Sequence, residues 1–210
     1  MHIRPMTAHT GAEALGIDLT HPVSSETRAA LNQAFSEHSV LVIRDQHLTP
    51  PQVRTAVQLF GNIFHQHNTK FALPAATKDR IANLLAIHVY QSTHSARKLM
   101  GLSDANKERV PNAVLHPIVR THPETGRKTI FINPIRIEGI LGLDHKEALP
   151  LLDDLLAHAT QERFQYRHEW RPGDLVMWDN RCLLHKANGD YDMNQTRYLY
   201  RVMLQGDAPR

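Results

Sequence analysis

A Pro-Gly-Asp turn at residues 172–174 runs straight into the apolar tetrapeptide Leu175-Val176-Met177-Trp178, so no long helix can pass through this region. Just upstream, Phe164, Tyr166, His168 and Trp170 alternate with polar residues, the period of a half-buried antiparallel strand. Arg197 to Leu204 reads as the last strand. Further back, His116 to Arg120 and Lys128 to Asn133 flank the turn His122-Pro123-Glu124-Thr125-Gly126, whose Pro and Gly chemistry predicts a hairpin. The second half of the chain is therefore expected to be mainly sheet.

Helices interrupt the first half. Ser25 to His38 places Leu31, Ala34 and Phe35 at helical spacing behind Ser24 or Ser25 as N-cap. Ser39 to Arg44 is short and β-branched and reads as a buried strand, after a looser candidate strand within Gly11 to Leu19. Thr49-Pro50-Pro51-Gln52 has the parts of a helix start, with a capping threonine, prolines in the first turn and a returning glutamine; Gly61 is the expected stop. A further helix is expected to bury Ile81, Leu84 and Leu85 as one stripe. Another, begun by Asp144 and Glu147, carries Leu151, Leu152, Leu155 and Leu156, with Pro150 in its early turns. The pattern predicts an antiparallel β-sandwich with helical insertions, mainly β with helices.

Length and composition narrow the function. The 210 residues, 41% hydrophobic and 21% charged, suit one soluble globular domain over 1–210. No apolar run is long enough to cross a bilayer, and Met1-His2-Ile3-Arg4-Pro5 lacks a signal-peptide core, so no membrane partner is expected. Cys182 is the single cysteine, which rules out an internal disulfide and fits a cytoplasmic location. The net charge is +3, but its cations are scattered without aromatic interleaving; this argues against nucleic acid and suits a small anionic ligand. Fifteen histidines make metal or acid–base chemistry worth seeking, and spacing must decide which of them matter.

The chemistry concentrates in Trp178-Asp179-Asn180-Arg181, then His185, then Arg197 and Arg201. Residues an even number apart on a strand share a face, so Arg197 and Arg201 are able to point into one cavity and bind carboxylates through their planar forks. A pair of surface arginines on an edge strand fits the spacing equally well. These residues resemble the C-terminal signature of the taurine and 2,4-D dioxygenase (TauD/TfdA) family. Ordered matches run along most of the chain: Val40 to Gln46, Phe60-Gly61, His116 to Lys128, Trp170 to Asp174 and Gln205 to Asp207.

The resemblance implies a double-stranded β-helix (jelly roll) and one Fe(II) held by two histidines and a carboxylate. With 2-oxoglutarate as cosubstrate, such an enzyme hydroxylates a small carboxylate or sulfonate and releases succinate and CO2. By position, His185 matches the distal iron-binding histidine, Arg197 the arginine that pairs with 2-oxoglutarate, and Arg201 the one that binds an acidic group on the substrate. His67 falls in the loop that contributes to substrate binding. Family members commonly self-associate, so a homo-oligomer is compatible.

The family's other two iron ligands come from a His-x-Asp/Glu motif expected between His67 and the helix containing Ile81. That segment is missing here, with the join placed near Pro74 and Ala75. His122-x-Glu124, His145-x-Glu147 and His65-x-His67 fit a ligand spacing literally, yet each is better explained as turn, cap or loop. A catalytically inactive jelly-roll remnant acting as a binding protein is thus the competing reading.

Overall fold

The computed structural model describes residues 1–60, 73–99, 101, 112–189, 192, 194, 196 and 198–204. It divides into two compact units, the first made of Met1–Asn68, Pro123–Gly126 and Tyr166–Asp207, the second of Thr69–His122, Arg127–Gln165 and Ala208–Arg210.

The first unit is built on a four-stranded sheet of order β1-β2-β3-β9, from His2–Pro5, Ala12–Leu15, Val40–Ile43 and Leu175–Trp178. Strands β1 and β2 are antiparallel, as are β3 and β9, but β2 and β3 run parallel, pairing Glu13 with Val42. This departs from the all-antiparallel expectation for a physical reason. A parallel pair needs a crossover, and helix α1 (Ser25–His38) supplies it. Ser24 caps α1 by accepting the Thr27 N–H at 3.1 Å, and Ser39 ends it in the left-handed region. All four β3 residues are buried, and Leu41 and Ile43 join Leu31, Ala34 and Phe35 of α1 in the core. Phe60 closes that core with its ring edge-on to Phe35, 5.8 Å between centroids. Helix α2 (Pro50–Gln58) starts as the sequence predicts, the Gln52 side chain accepting the Thr49 N–H at 2.9 Å. It ends at Gln58, before Gly61, which lies outside the described residues.

The second unit holds a three-stranded antiparallel sheet of order β5-β4-β8 (Val114–Pro117, Leu85–His88, Ile137–Ile140) and the hairpin β6–β7 (Val119–Thr121, Lys128–Ile130). Helix α3 (Ala75–Ile81) follows Pro74 directly, whose carbonyl accepts the Lys78 N–H at 3.1 Å. The expected stripe of Ile81, Leu84 and Leu85 on one helix is corrected: α3 stops at Ile81 and Leu85 opens β4. Ile81 and Leu84 border one core, which Ala86 of β4 also joins. Helix α4 (His145–Ala159) lays Ala148, Leu151 and Leu155 on that core, beside Ile81, Ala86, Ile118 and Ile140. Asp144 caps it by accepting the Glu147 N–H at 3.0 Å, and Pro150 is carried within the helix.

Two expected strands are corrected. Glu162–Phe164 forms a 3-10 turn, and residues 165–171 pair with no strand among the described residues. Their alternation reflects side-chain anchoring instead of a ladder. The Tyr166 ring lies against Gly11, and His168 bonds to Asp174. Likewise residues 198–204 form no strand and stand out from the surface, Tyr198 and Met203 being 78% and 72% exposed. No described helix is long and apolar enough to cross a membrane.

Candidate functional site

The polar corner after β9 is fixed by a network that begins in β2 and β3. Arg44, just past β3, donates from Nε to Glu13 at 3.1 Å and from Nη1 to Asp174 Oδ2 at 2.6 Å. Asp174 also accepts the Arg171 N–H at 2.9 Å and bonds His168 Nε2 at 2.9 Å, while the other nitrogen of His168 meets the Tyr166 hydroxyl at 2.8 Å. The Asp174 side chain is 1% exposed, so its charge depends on Arg44 for compensation. Burial holds His168 below the ordinary imidazole pKa even though the Asp174 carboxylate pulls the other way. A neutral ring with Nε2–H toward Asp174 and Nδ1 accepting from Tyr166 satisfies both bonds.

Gly173 is required in this turn. Its φ is +85°, and a Cβ there would come within 3.2 Å of the Gln46 backbone nitrogen, which donates to the Gly173 carbonyl at 2.6 Å. Gln46 in turn anchors the loop below it, accepting the Leu19 N–H at 2.8 Å and donating to the carbonyls of Ile17 and Arg44.

The corner itself is tied by its own side chains. Asp179 is buried, and its Oδ1 accepts from the Arg181 backbone at 2.8 Å and from Arg181 Nε at 2.9 Å, while Oδ2 accepts from Nη2 at 2.7 Å. Arg181 also pairs with Glu124. Burial works against the guanidinium charge, but Asp179 and Glu124 outweigh it and raise the Arg181 pKa. Trp178 Nε1 donates to Asn180 at 3.0 Å, and the Asp179 carbonyl accepts the N–H groups of Cys182 and Leu183.

His185 follows on an exposed stretch, its ring 5.2 Å from that of Trp178. Partial covering of the ring lowers its pKa, and the charge of Arg201 lowers it further, which brings Arg201 into the same electrostatic neighbourhood. Arg201 sits on the exposed stretch 198–204, not on the inner face of a sheet, which corrects the inward-facing expectation. Arg197 and His67 lie outside the described residues. Of the substitute ligand pairs, Glu124 is committed to Arg181, Glu147 lies in the capped first turn of α4, and His65-x-His67 falls outside the described residues. Among the described residues, His185 belongs to no set of three His, Cys, Asp or Glu ligand atoms within 4.8 Å of one another. The described donor set therefore does not fit an iron ion by itself.

The Asp174 network was not singled out from the sequence. The available signal was a charged residue directly after the buried strand, Arg44, and an acid directly after a turn glycine, Asp174.

The family model for taurine catabolism dioxygenase TauD, TfdA family matches the chain in two stretches, residues 2–72 and 71–203. The chain belongs to the TauD/TfdA family. Members are alpha-ketoglutarate-dependent dioxygenases that use Fe(II) and 2-oxoglutarate. The alpha-ketoglutarate-dependent 2,4-dichlorophenoxyacetate dioxygenase of Cupriavidus pinatubonensis is 41% identical over 140 residues, covering 65% of this chain and 47% of that protein. The chain thus spans about half the length of such curated relatives. The alkylsulfatase of Acinetobacter baylyi is 24% identical over an alignment of 275 residues that takes in 99% of this chain and 86% of that protein. Among solved structures, AAD-2 in complex with Mn(II) and N-oxalylglycine superposes with a TM-score of 0.75 at 25% identity, covering 94% of each chain. A taurine dioxygenase from Burkholderia xenovorans, at 22% identity, shares the fold with a TM-score of 0.69, covering 86% of this chain and 81% of that one.

Proposed function

We propose that this chain is an Fe(II)/2-oxoglutarate-dependent dioxygenase of a small carboxylate or sulfonate, releasing succinate and CO2. The observation that carries this reading is the family match together with the signature Trp178 to Arg181, His185, Arg197 and Arg201. In it, His185 is the distal iron ligand, Arg197 binds 2-oxoglutarate, Arg201 holds the acidic group of the substrate, and His67 belongs to the substrate loop. The relatives support the substrate class: they include enzymes named for 2,4-dichlorophenoxyacetate, phenoxypropionate and sulfonate. The fold in this reading is a double-stranded β-helix in a single domain over residues 1–210.

The same reading includes an internal deletion near Pro74 and Ala75. Two features support it. The family model is matched in two pieces that meet at residues 71–72, and the alkylsulfatase alignment is longer than the 210 residues of this chain. The deletion removes the stretch in which the His-x-Asp/Glu motif is expected, so turnover requires other side chains to complete the iron shell with His185.

The test is succinate formation by purified chain with Fe(II), 2-oxoglutarate, O2 and a panel of small carboxylates and sulfonates. Turnover that requires both iron and 2-oxoglutarate and is abolished in His185→Ala is the expected result. A folded, soluble chain giving no succinate above background sinks the proposal. The second reading, an inactive remnant that binds small anions at Arg197 and Arg201, is favoured by the lack of a three-ligand set around His185 among the described residues. It calls for no stoichiometric iron and for anion affinity that drops in Arg201→Ala.

A further inference from the structure

We propose that His94, Glu138 and His145, in the second unit, form a divalent-metal site separate from His185, of the borderline class that takes imidazole and carboxylate ligands, such as Zn(II) or Co(II). His94 comes from a distant part of the sequence and meets Glu138 and His145 at one exposed edge. His94 Nε2 lies 3.5 Å from Glu138 Oε1, and the His94 and His145 rings are 4.8 Å apart and nearly perpendicular, at 85°. Glu138 stands on β8, an edge strand, and His145 is the first residue of α4. The His145 ring rests over Gly139, the next residue along β8.

Two features suit these groups to a cation. First, Thr93 orients the carboxylate, donating from its backbone N–H to Glu138 Oε2 at 2.8 Å and from its hydroxyl to Oε1, the kind of support that fixes a ligating carboxylate. Second, both histidines are exposed, so an ion can reach them and displace water. Two nitrogens and one oxygen, with further positions open to solvent, suit zinc-class ions better than magnesium or calcium. The three ligand atoms do not already lie within 4.8 Å of one another as a set. Binding therefore draws the His145 ring toward Glu138, a rotamer change on an exposed side chain. The literal motif His145-x-Glu147 plays no part, since Glu147 belongs to the capped first turn of α4.

The experiment is titration of the purified chain with Co(II), followed by its visible d–d absorption, with Zn(II) competition. Wild type is expected to bind one Co(II) at this site, with His94→Ala and His145→Ala each weakening it at least tenfold. Glu138→Gln, which keeps an acceptor for Thr93, is expected to weaken it less. Circular dichroism confirms that the variants are folded. His185→Ala is expected to leave this binding unchanged, which separates the proposal from the dioxygenase reading. Binding that persists in both histidine variants, binding lost in His185→Ala, or no Co(II) bound by wild type at up to about 100 μM overturns it.

Discussion

The turn around Asp174 and the stretch carrying Arg201 belong to the same unit and the same family-matched stretch, yet they are held in opposite ways. Asp174 is almost fully buried and accepts from Arg44, His168 and the Arg171 backbone. Residues 198–204 make no strand, and their tyrosines, leucines and methionine face solvent. The turn is therefore anchored by buried side chains, while the described part of the stretch carrying Arg201 is not. A strand is stable only when its backbone groups and one face are satisfied by neighbours. On the reading of an internal deletion, residues 198–204 have lost theirs.

The contrast breaks first at Asp174. In Asp174→Ala, Arg44 keeps Glu13 but loses its deeper partner, and His168 loses the acceptor of its ring N–H. Breaking a buried pair by removing one member typically costs about 3–5 kcal/mol. Urea denaturation should show a loss of that size. A loss below about 1 kcal/mol would mean that the turn is not the anchor of the first unit.

Acid sharpens the same comparison, because buried histidines differ in whether their nitrogens are engaged. Both ring nitrogens of His168 are bonded, whereas the Nε2 of buried His88, on β4, has no hydrogen-bond partner among the described residues. Burial, then the nearby His116 and Arg136, push the His88 pKa down to about 4. The unfolded chain, with an ordinary value near 6.5, binds more protons in this window. Stability is therefore full above pH ~6.5, falls as the pH drops toward 4, and levels off below that. The loss from His88 is at most roughly 3 kcal/mol, with His168 adding in the same direction. His88→Phe, whose ring can keep the stack on Phe131, should flatten most of this slope in urea melts run from pH 7 to 4. An unchanged slope would move the acid sensitivity elsewhere.

The sequence made the local punctuation of this fold readable and misled wherever pairing partners decide. Caps at Ser24, Thr49 with Gln52, and Asp144 are short-range chemistry and stand where the residues place them. The buried strand Val40–Ile43 and the hairpin turn at residues 122–126 follow from composition in the same way. The apolar run places Leu84 and Leu85 on a helix, whereas α3 ends at Ile81 and β4 begins at Leu85, because helix and strand both bury apolar residues over so short a run. Residues 164–170 and 197–204 carry strand-like patterns, but a ladder needs a second strand, and periodicity cannot show whether one exists. Strand β1 was not anticipated, since the exposed His2–Pro5 has little apolar pattern and is recruited by β2. For the candidate site, family resemblance points to His185 and Arg201, and strand spacing also pairs Arg201 with Arg197. The Arg44–Asp174 pair joins residues 130 positions apart, which no local pattern encodes.

The smallest expected effect tests the exposed side of the comparison. Leu199 and Met203 are 50% and 72% exposed, so replacing both with Ser removes little buried surface. Away from packed features, surface substitutions usually stay within about 0.5 kcal/mol. The double variant Leu199→Ser/Met203→Ser should therefore melt in urea with the wild-type midpoint. Exposed apolar residues along a stretch without regular structure favour association, so the variant should also be less prone to self-associate, read by sedimentation at matched concentrations. A loss of 2 kcal/mol or more would show these side chains packed in solution. The stretch would then have found a partner strand, and the contrast with the Asp174 turn would disappear.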